Sequence, residues 1–299
     1  MDLITQDDVL AALKQYFRCK NFKLLNWELK SLNDEARLGY LGDHFLIEST
    51  VQRQGPPEQV SFFVKTFPKK KVHQDLIEAA GFFKKEVLFY QQLADQLIAI
   101  LAKLQPTADG CKMPIIPRCY LAKDKFLIME NLVKLGFQPV SSDTPFSLEY
   151  FYVTVRSIAR YHAASIVLEH QQGVPLSRKY PDLIYESFLN GDPDHYLAPW
   201  HAASTRAALA LVPLLERYKD KPDVVKKTQE ALPSLVRELM ERVTAWPDTV
   251  NVFGHGDLWS NNILFLMDCN GKPSHVSLNF LSVSVKHINL VRRTLRGRS

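Results

Sequence analysis

Cysteine is scarce in this chain: four residues among 299 (Cys19, Cys111, Cys119 and Cys269), with no C-x-x-C pair among them. That spacing argues against a zinc site and a disulfide framework, and it predicts buried or incidental thiols in a reducing compartment. Long apolar runs are missing as well. The greasiest helix-like piece, Leu97-Ile98-Ala99-Ile100-Leu101, is soon interrupted by Lys103, far short of the roughly 20 residues a bilayer span requires. The amino terminus, Met1-Asp2-Leu3-Ile4-Thr5, is acidic where a secretory leader would be basic. These absences predict a soluble, cytoplasmic protein with no membrane partner. Acids are absent from residues 286–299, where Lys286, Arg292, Arg293, Arg296 and Arg298 account for the whole net charge of +5. The remainder is neutral, so a nucleic-acid surface spread over the body is unsupported. Residues 292–298 read as a solvated tail, with a nuclear-targeting or nucleic-acid role as the competing reading. Neither an internal repeat nor a low-complexity segment is present.

What the chain does have is an ordinary globular composition, 46% hydrophobic and 23% charged, and enough length for a sizeable core in two lobes. Its most informative stretch is Val252 to Phe265, which contains His255-Gly256-Asp257-Leu258-Trp259-Ser260-Asn261-Asn262. H-x-D-x-x-x-x-N is the layout of a phosphotransferase catalytic loop. An aspartate can accept the proton of an incoming hydroxyl, and an asparagine five positions on can fold back toward a Mg²⁺ ion on nucleotide phosphates. A polar turn between two buried strands is the alternative reading. Gly256, Trp259 and the doubled asparagine favour the catalytic one.

The same eight residues resemble the signature of the ecdysteroid kinase-like (CHK kinase-like) family. That family is a branch of the aminoglycoside phosphotransferase and choline kinase superfamily, with a protein-kinase-like fold. The resemblance implies ATP and Mg²⁺ as cofactors and a small hydroxylated substrate, possibly an ecdysteroid-like sterol. Asp257 is then the catalytic base, with His255 bracing the loop beside it, and Asn262 is the metal ligand. A protein kinase is disfavoured because Gly256 and Trp259 stand where protein kinases carry Arg and Lys.

In chain order, Thr5-Gln6-Asp7-Asp8 followed by Val9, Leu10, Leu13, Tyr16 and Phe17 reads as a capped amphipathic helix. Residues 21–32 alternate as a first strand. Gly39-x-x-Gly42 sits where a phosphate-covering hairpin belongs, and Gly42-Asp43-His44-Phe45 is similar to the family's Gly-acid-Asn-aromatic run. An ordinary glycine turn is the competing reading, and Ile47 replaces a usual serine. Residues 46–50 and 60–67 form a hairpin around Gln54-Gly55-Pro56-Pro57-Glu58. Lys65, near the end of its second strand, can reach nucleotide phosphates if a carboxylate holds it. Glu86 is the candidate partner, since helical spacing sets it on one face with Phe82, Phe89 and Leu93, where a lone acid is costly unless paired. A surface lysine and a solvated glutamate are the alternatives. Lys69-Lys70-Lys71 reads as a solvated loop.

Residues 113–119 and 125–129 are expected as two further strands, the second leading into Glu130-Asn131-Leu132. This segment resembles the family's hinge, where backbone groups meet the adenine; a buried strand ending in a polar turn fits equally. Residues 148–169 carry Phe151, Val155, Ile158, Ala159, His162 and Ala163 at helical spacing. Tyr161-His162-Ala163-Ala164-Ser165 resembles the family's aromatic-His-Ala-x-Ser, with His162 read as structural. Residues 170–200 read as loop-rich, where the superfamily builds its acceptor pocket, and residues 209–218 and 224–245 as helices.

The resemblance breaks after Leu278. An Asp-Phe-Gln is expected there, its aspartate bridging Mg²⁺ to the phosphates, but the chain reads Leu278-Asn279-Phe280-Leu281-Ser282. Either Asn279-Phe280 fills that place with amide for carboxylate, or the sequence beyond 278 is divergent; the second is favoured. The resulting expectation is an α+β, bilobal protein-kinase-like fold. Residues 1–131 would be a nucleotide-binding lobe with an antiparallel sheet and one main helix. Residues 132–278 would be a mostly helical, incomplete catalytic lobe, and residues 279–299 a divergent basic tail. A kinase of a small alcohol is the first functional reading. A catalytically impaired, pseudokinase-like binding protein is the second.

Overall fold

The computed structural model describes residues 3–32, 42–104, 113–140, 146–189, 191–242, 250–278 and 284–288. Its first element, α1 (Gln6–Phe17), starts at the expected cap. Asp8 N–H reaches Thr5 Oγ1 at 3.3 Å, and Asp8 Oδ2 accepts from Thr5 N–H at 2.9 Å and Thr5 Oγ1 at 2.8 Å. The two residues thereby satisfy each other's orphan groups.

Beneath α1 lies a sheet of five antiparallel strands, β1 (Lys23–Ser31), β2 (Asp43–Gln52), β3 (Glu58–Thr66), β4 (Cys119–Lys123) and β5 (Phe126–Glu130), in the order β1-β2-β3-β5-β4. Successive side chains of a strand point to opposite faces, so β3 divides its residues cleanly. Val60, Phe62 and Val64 join Phe126 and Ile128 of β5 in a core with Ile4, Val9 and Leu13. Lys65 pairs with Leu127, and Phe63 with Met129, on the other face.

That second face is covered by helices. After β3 come α2 (Lys71–Ala80), α3 (Phe82–Gln92) and α4 (Ala94–Leu104). Lys71, read as loop, opens α2. The residues read along the buried face of α3, Phe82, Glu86, Phe89 and Leu93, are all buried. The first of the two later strands is displaced from residues 113–119 to Cys119–Lys123. Pro114 and Pro117 lack the N–H a ladder needs, so pairing starts only beyond them.

The rest of the chain contains β6 (Gln138–Pro139), α5 (Leu148–Gln172), α6 (Leu176–Lys179), α7 (Ala198–Leu211) and α8 (Pro222–Arg242). These are followed by β7 (Val250–Gly254), β8 (Ile263–Met267), β9 (Pro273–Leu278) and β10 (Ser284–Ile288). The expected helix over 209–218 is instead α7, beginning eleven residues earlier. Pro199 lies in its first turn, where a missing N–H costs nothing, whereas Pro213 falls where the helix has ended in short 3₁₀ turns. Five residues of the stretch read as a basic tail, Ser284–Ile288, pair antiparallel with β7. The remaining arginines of that tail, and Gly39, lie outside the described residues.

One apolar cluster joins the two halves. It runs from Ile77, Phe83, Val87 and Phe89 through Leu127 and Met129 to Tyr161, Phe253, Ile263, Phe265 and Leu278. α5 faces this cluster with Tyr161, Ala164, Ser165 and Leu168, and leaves Leu148, Phe151, Tyr152 and Val155 exposed. Of the apolar positions read from its sequence, Phe151, Val155, Ala159 and Ala163 are exposed, while Ile158 packs against the cluster. No helix among the described residues is long and apolar enough to cross a membrane.

Candidate active site

β7 delivers the chain into the loop with Val252 and Phe253 buried, and β8 takes it out with Ile263, Leu264 and Phe265 buried. The polar residues between are thus held at both ends by core. Gly256 has φ +81°, a left-handed conformation that a side chain disfavours, and this bend separates His255 from Asp257. His255 is buried, and its Nδ1 accepts the Asp257 N–H at 3.3 Å. Asn262, fully buried at the start of β8, folds back across the loop. Its Nδ2 donates to the Asp257 carbonyl oxygen at 2.8 Å and to Asp257 Oδ2 at 2.9 Å. Its own Oδ1 is buried with no hydrogen-bond partner among the described residues. A buried acceptor left unpaired costs about 1–3 kcal/mol, so this oxygen is suited to a cation that the protein's own donors do not replace. Among the described residues no three His, Cys, Asp or Glu side chains cluster as a metal site. Mg²⁺ is commonly held by one or two protein groups together with substrate phosphates and water.

On the sheet side, Lys65 Nζ meets Glu86 Oε2 at 2.5 Å, both side chains 1% exposed. Burial pushes the Glu86 carboxyl above its ordinary range, opposed by the Lys65 ammonium beside it. Removing the Lys65 ammonium would leave the buried Glu86 carboxyl without this opposite charge. Gly42 lies directly against this lysine. A Cβ there would stand 3.2 Å from the Thr66 carbonyl oxygen and 3.6 Å from Lys65 Cγ and Cε. The neighbouring Asp43 accepts the Lys69 N–H through Oδ2 at 3.0 Å, while Ile47, in the place of a serine, is wholly buried.

Glu130 and Asn131 lie where β5 ends. The Glu130 N–H donates to the Arg118 carbonyl at 2.8 Å, and Glu130 Oε2 accepts the Arg118 N–H at 3.2 Å. Burial raises the Glu130 carboxyl above its ordinary range. Asn131 donates to Ser61 Oγ at 2.8 Å and accepts the Val133 N–H at 3.2 Å. Both side chains thus shape the turn. A narrow, largely apolar slot opens beside them, lined by Phe63, Pro117, Met129, Leu132, Val133 and Leu264 along with the pair itself. Phe63 stands two residues before Lys65 and Leu264 two after Asn262, so strands bearing both polar groups border one slot. Its volume is about 30 Å³, roughly the space of one water, so its walls would have to part to admit a ring system.

Four residues have no role assigned from the sequence. Ser165 Oγ donates to the His162 carbonyl at 2.7 Å and accepts the Phe253 N–H at 3.1 Å, pinning β7 to α5. It was visible within Tyr161–Ser165 but had no role there. Phe63 and Leu264 gave no signal beyond being apolar strand residues. Lys85 is buried on α3, donating to the Tyr185 carbonyl and, at 3.0 Å, to Ser187 Oγ, with the Tyr185 ring centroid 3.6 Å away. Its neighbour Lys84 is exposed, and nothing in the local sequence separates the two lysines.

No relative among curated proteins matches the chain. The ecdysteroid kinase-like family matches residues 39–279, a span that holds Lys65, Glu86, Asp257 and Asn262. That match covers most of the sequence and agrees with the five-stranded antiparallel sheet joined to a helical region. The chain is therefore a member of the ecdysteroid kinase-like family, a family of kinase-like phosphotransferases.

Proposed function

We propose that the protein transfers a phosphoryl group from ATP to a hydroxyl of a small molecule, with an ecdysteroid-like sterol as the candidate acceptor. The observation that carries this reading is the Asn262 amide, whose nitrogen is held by Asp257 while its buried oxygen has no partner among the described residues. Asp257 Oδ2 is occupied by that amide, which fixes the carboxylate's orientation and leaves Oδ1 to accept the acceptor's hydroxyl proton. Removing such a base slows reactions by about 10²–10⁴-fold. His255 holds the Asp257 backbone from within the loop. Lys65, oriented by Glu86, would meet the α- and β-phosphates, and backbone groups at Glu130-Asn131 would meet the adenine. Asn262 Oδ1 would hold Mg²⁺, which neutralises charge on the phosphates. The test is ATP-dependent phosphorylation across a panel of ecdysteroids and choline, with Asp257→Ala as control. Turnover that this substitution leaves unchanged rejects the assignment.

A second reading, a nucleotide- or ligand-binding protein without turnover, is favoured by residue 279. Leu278 pairs with Ile263, so β9 ends beside the strand that Asn262 opens. The next residue in sequence is Asn279, where the resemblance calls for a carboxylate; it lies outside the described residues. A neutral amide supplies less to a hard cation than an anionic oxygen does. Strong Mg²⁺-dependent thermal stabilisation by ATP without phosphorylation of any acceptor would support this reading. Turnover would reject it.

A further inference from the structure

Behind α3, on the side away from Glu86, lies a cavity of about 580 Å³. Its floor is apolar: Ile77, Phe83 and Val87 are buried, and Phe67 packs edge-on against Phe83 with centroids 5.7 Å apart. The volume falls within the range of small-molecule sites, roughly 300–1,000 Å³. None of its lining residues is shared with the slot at Glu130-Asn131.

The rim sets the chemistry of an occupant. Glu78 and Asp124 are matched by Lys84 and Lys125, so no surplus charge selects an anion or a cation. Gln74 donates its amide N–H to the Pro68 carbonyl at 2.9 Å, and Gln91 donates to the Ala122 carbonyl at 3.0 Å. With these nitrogens engaged, the amide oxygens remain as acceptors on the rim, suited to a ligand that donates an O–H. The helix itself has two sides. Phe83, Lys84, Val87, Leu88 and Gln91 line the cavity, and the 3.6-residue repeat turns Glu86 and Phe89 away from the centre of that face.

We propose that this cavity binds a compact, uncharged, mainly apolar alcohol, and that the occupant braces α3 from behind. Its alkyl or ring body covers Phe67, Phe83, Val87 and Leu88, and its hydroxyl meets the glutamine oxygens. By limiting movement of α3, it holds the helix that presents Glu86 to Lys65. This binding site is independent of whether the protein turns over ATP.

The test uses the full chain with Nile red, an uncharged apolar fluorophore, as the probe, and with 1-octanol and octanoate as competitors. Circular dichroism checks the fold of Leu88→Trp, which narrows the cavity, and of Gln91→Trp, which crowds its exposed lip. The expected result is one saturable site, displaced at least tenfold better by octanol than by octanoate, and at least tenfold weaker in both variants. Hydrogen exchange of the α3 amides should slow when octanol is bound to the unsubstituted chain and stay unchanged in a folded variant. Equal probe affinity in the unsubstituted chain and in either folded variant overturns the proposal. So does octanoate competing as well as octanol, or α3 exchange that octanol does not alter.

Discussion

Phe89 and Phe253 stack nearly parallel, with ring centroids 5.8 Å apart and planes 14° from one another. Phe89 is three residues beyond Glu86 on α3, and Phe253 is four before Asp257, so this pair ties the helix behind Lys65 to the strand entering the loop. Both rings are about fully buried. Phe89→Ala should lower stability by about 3–5 kcal/mol, as large-to-small changes at buried aromatics do. Phe89→Leu should lower it less, and denaturant unfolding of both variants measures the difference.

The Lys65–Glu86 pair gives a non-additive prediction. Lys65→Met alone leaves the buried Glu86 carboxyl without its opposite charge and should cost about 3–5 kcal/mol, and Glu86→Leu alone should also destabilise. The double substitution removes both desolvation penalties and should be closer to the unsubstituted protein than either single. A double-mutant cycle in urea reads this directly, and additive costs would show the two charges to be uncoupled.

At Gly256 the prediction concerns the backbone. With φ +81°, Gly256→Ala forces a side chain into the left-handed region at a cost of about 1–2 kcal/mol. Gly256→Asn should cost less, because asparagine tolerates that region better. Thermal melts rank the two.

Acid stability should depend on Asp8. Burial pushes its carboxyl up, but hydrogen bonds from Lys123 and Thr5 outweigh this and hold it below its ordinary value near 3.8. A carboxyl whose folded pKa is depressed contributes stability that is complete above the unfolded value and is lost as pH falls through the folded one. Asp8→Asn should therefore destabilise the protein at neutral pH and narrow the gap below about pH 4. Unfolding free energies across that interval check the sign.

Much of the site was legible because its parts are local. Alternation placed Lys65 on one face of its strand, and the helical repeat placed Glu86 inside α3; each signal spans only a few residues. Proline chemistry was local too, yet it was misjudged twice: Pro114 and Pro117 delayed β4, and Pro199 started a helix where a loop was expected. The α5 face failed for a different reason. Its apolar stripe of Phe151 and Val155 points outward, while Tyr161 and small residues pack inward, a choice governed by neighbours far along the chain.

By itself the sequence determined that an acid, a glycine bend and an amide would occupy one short loop, that a lysine would end a central strand, and that a glutamate would need a partner. These follow from backbone periodicity and the cost of burying charge. The tertiary fold alone decided that Lys65 and Glu86 meet at 2.5 Å, that Ser165 anchors Phe253, that Phe63 and Leu264 share a slot, and that a cavity opens behind α3. Those relationships join residues tens to hundreds of positions apart, and only the packing of one continuous core brings them together.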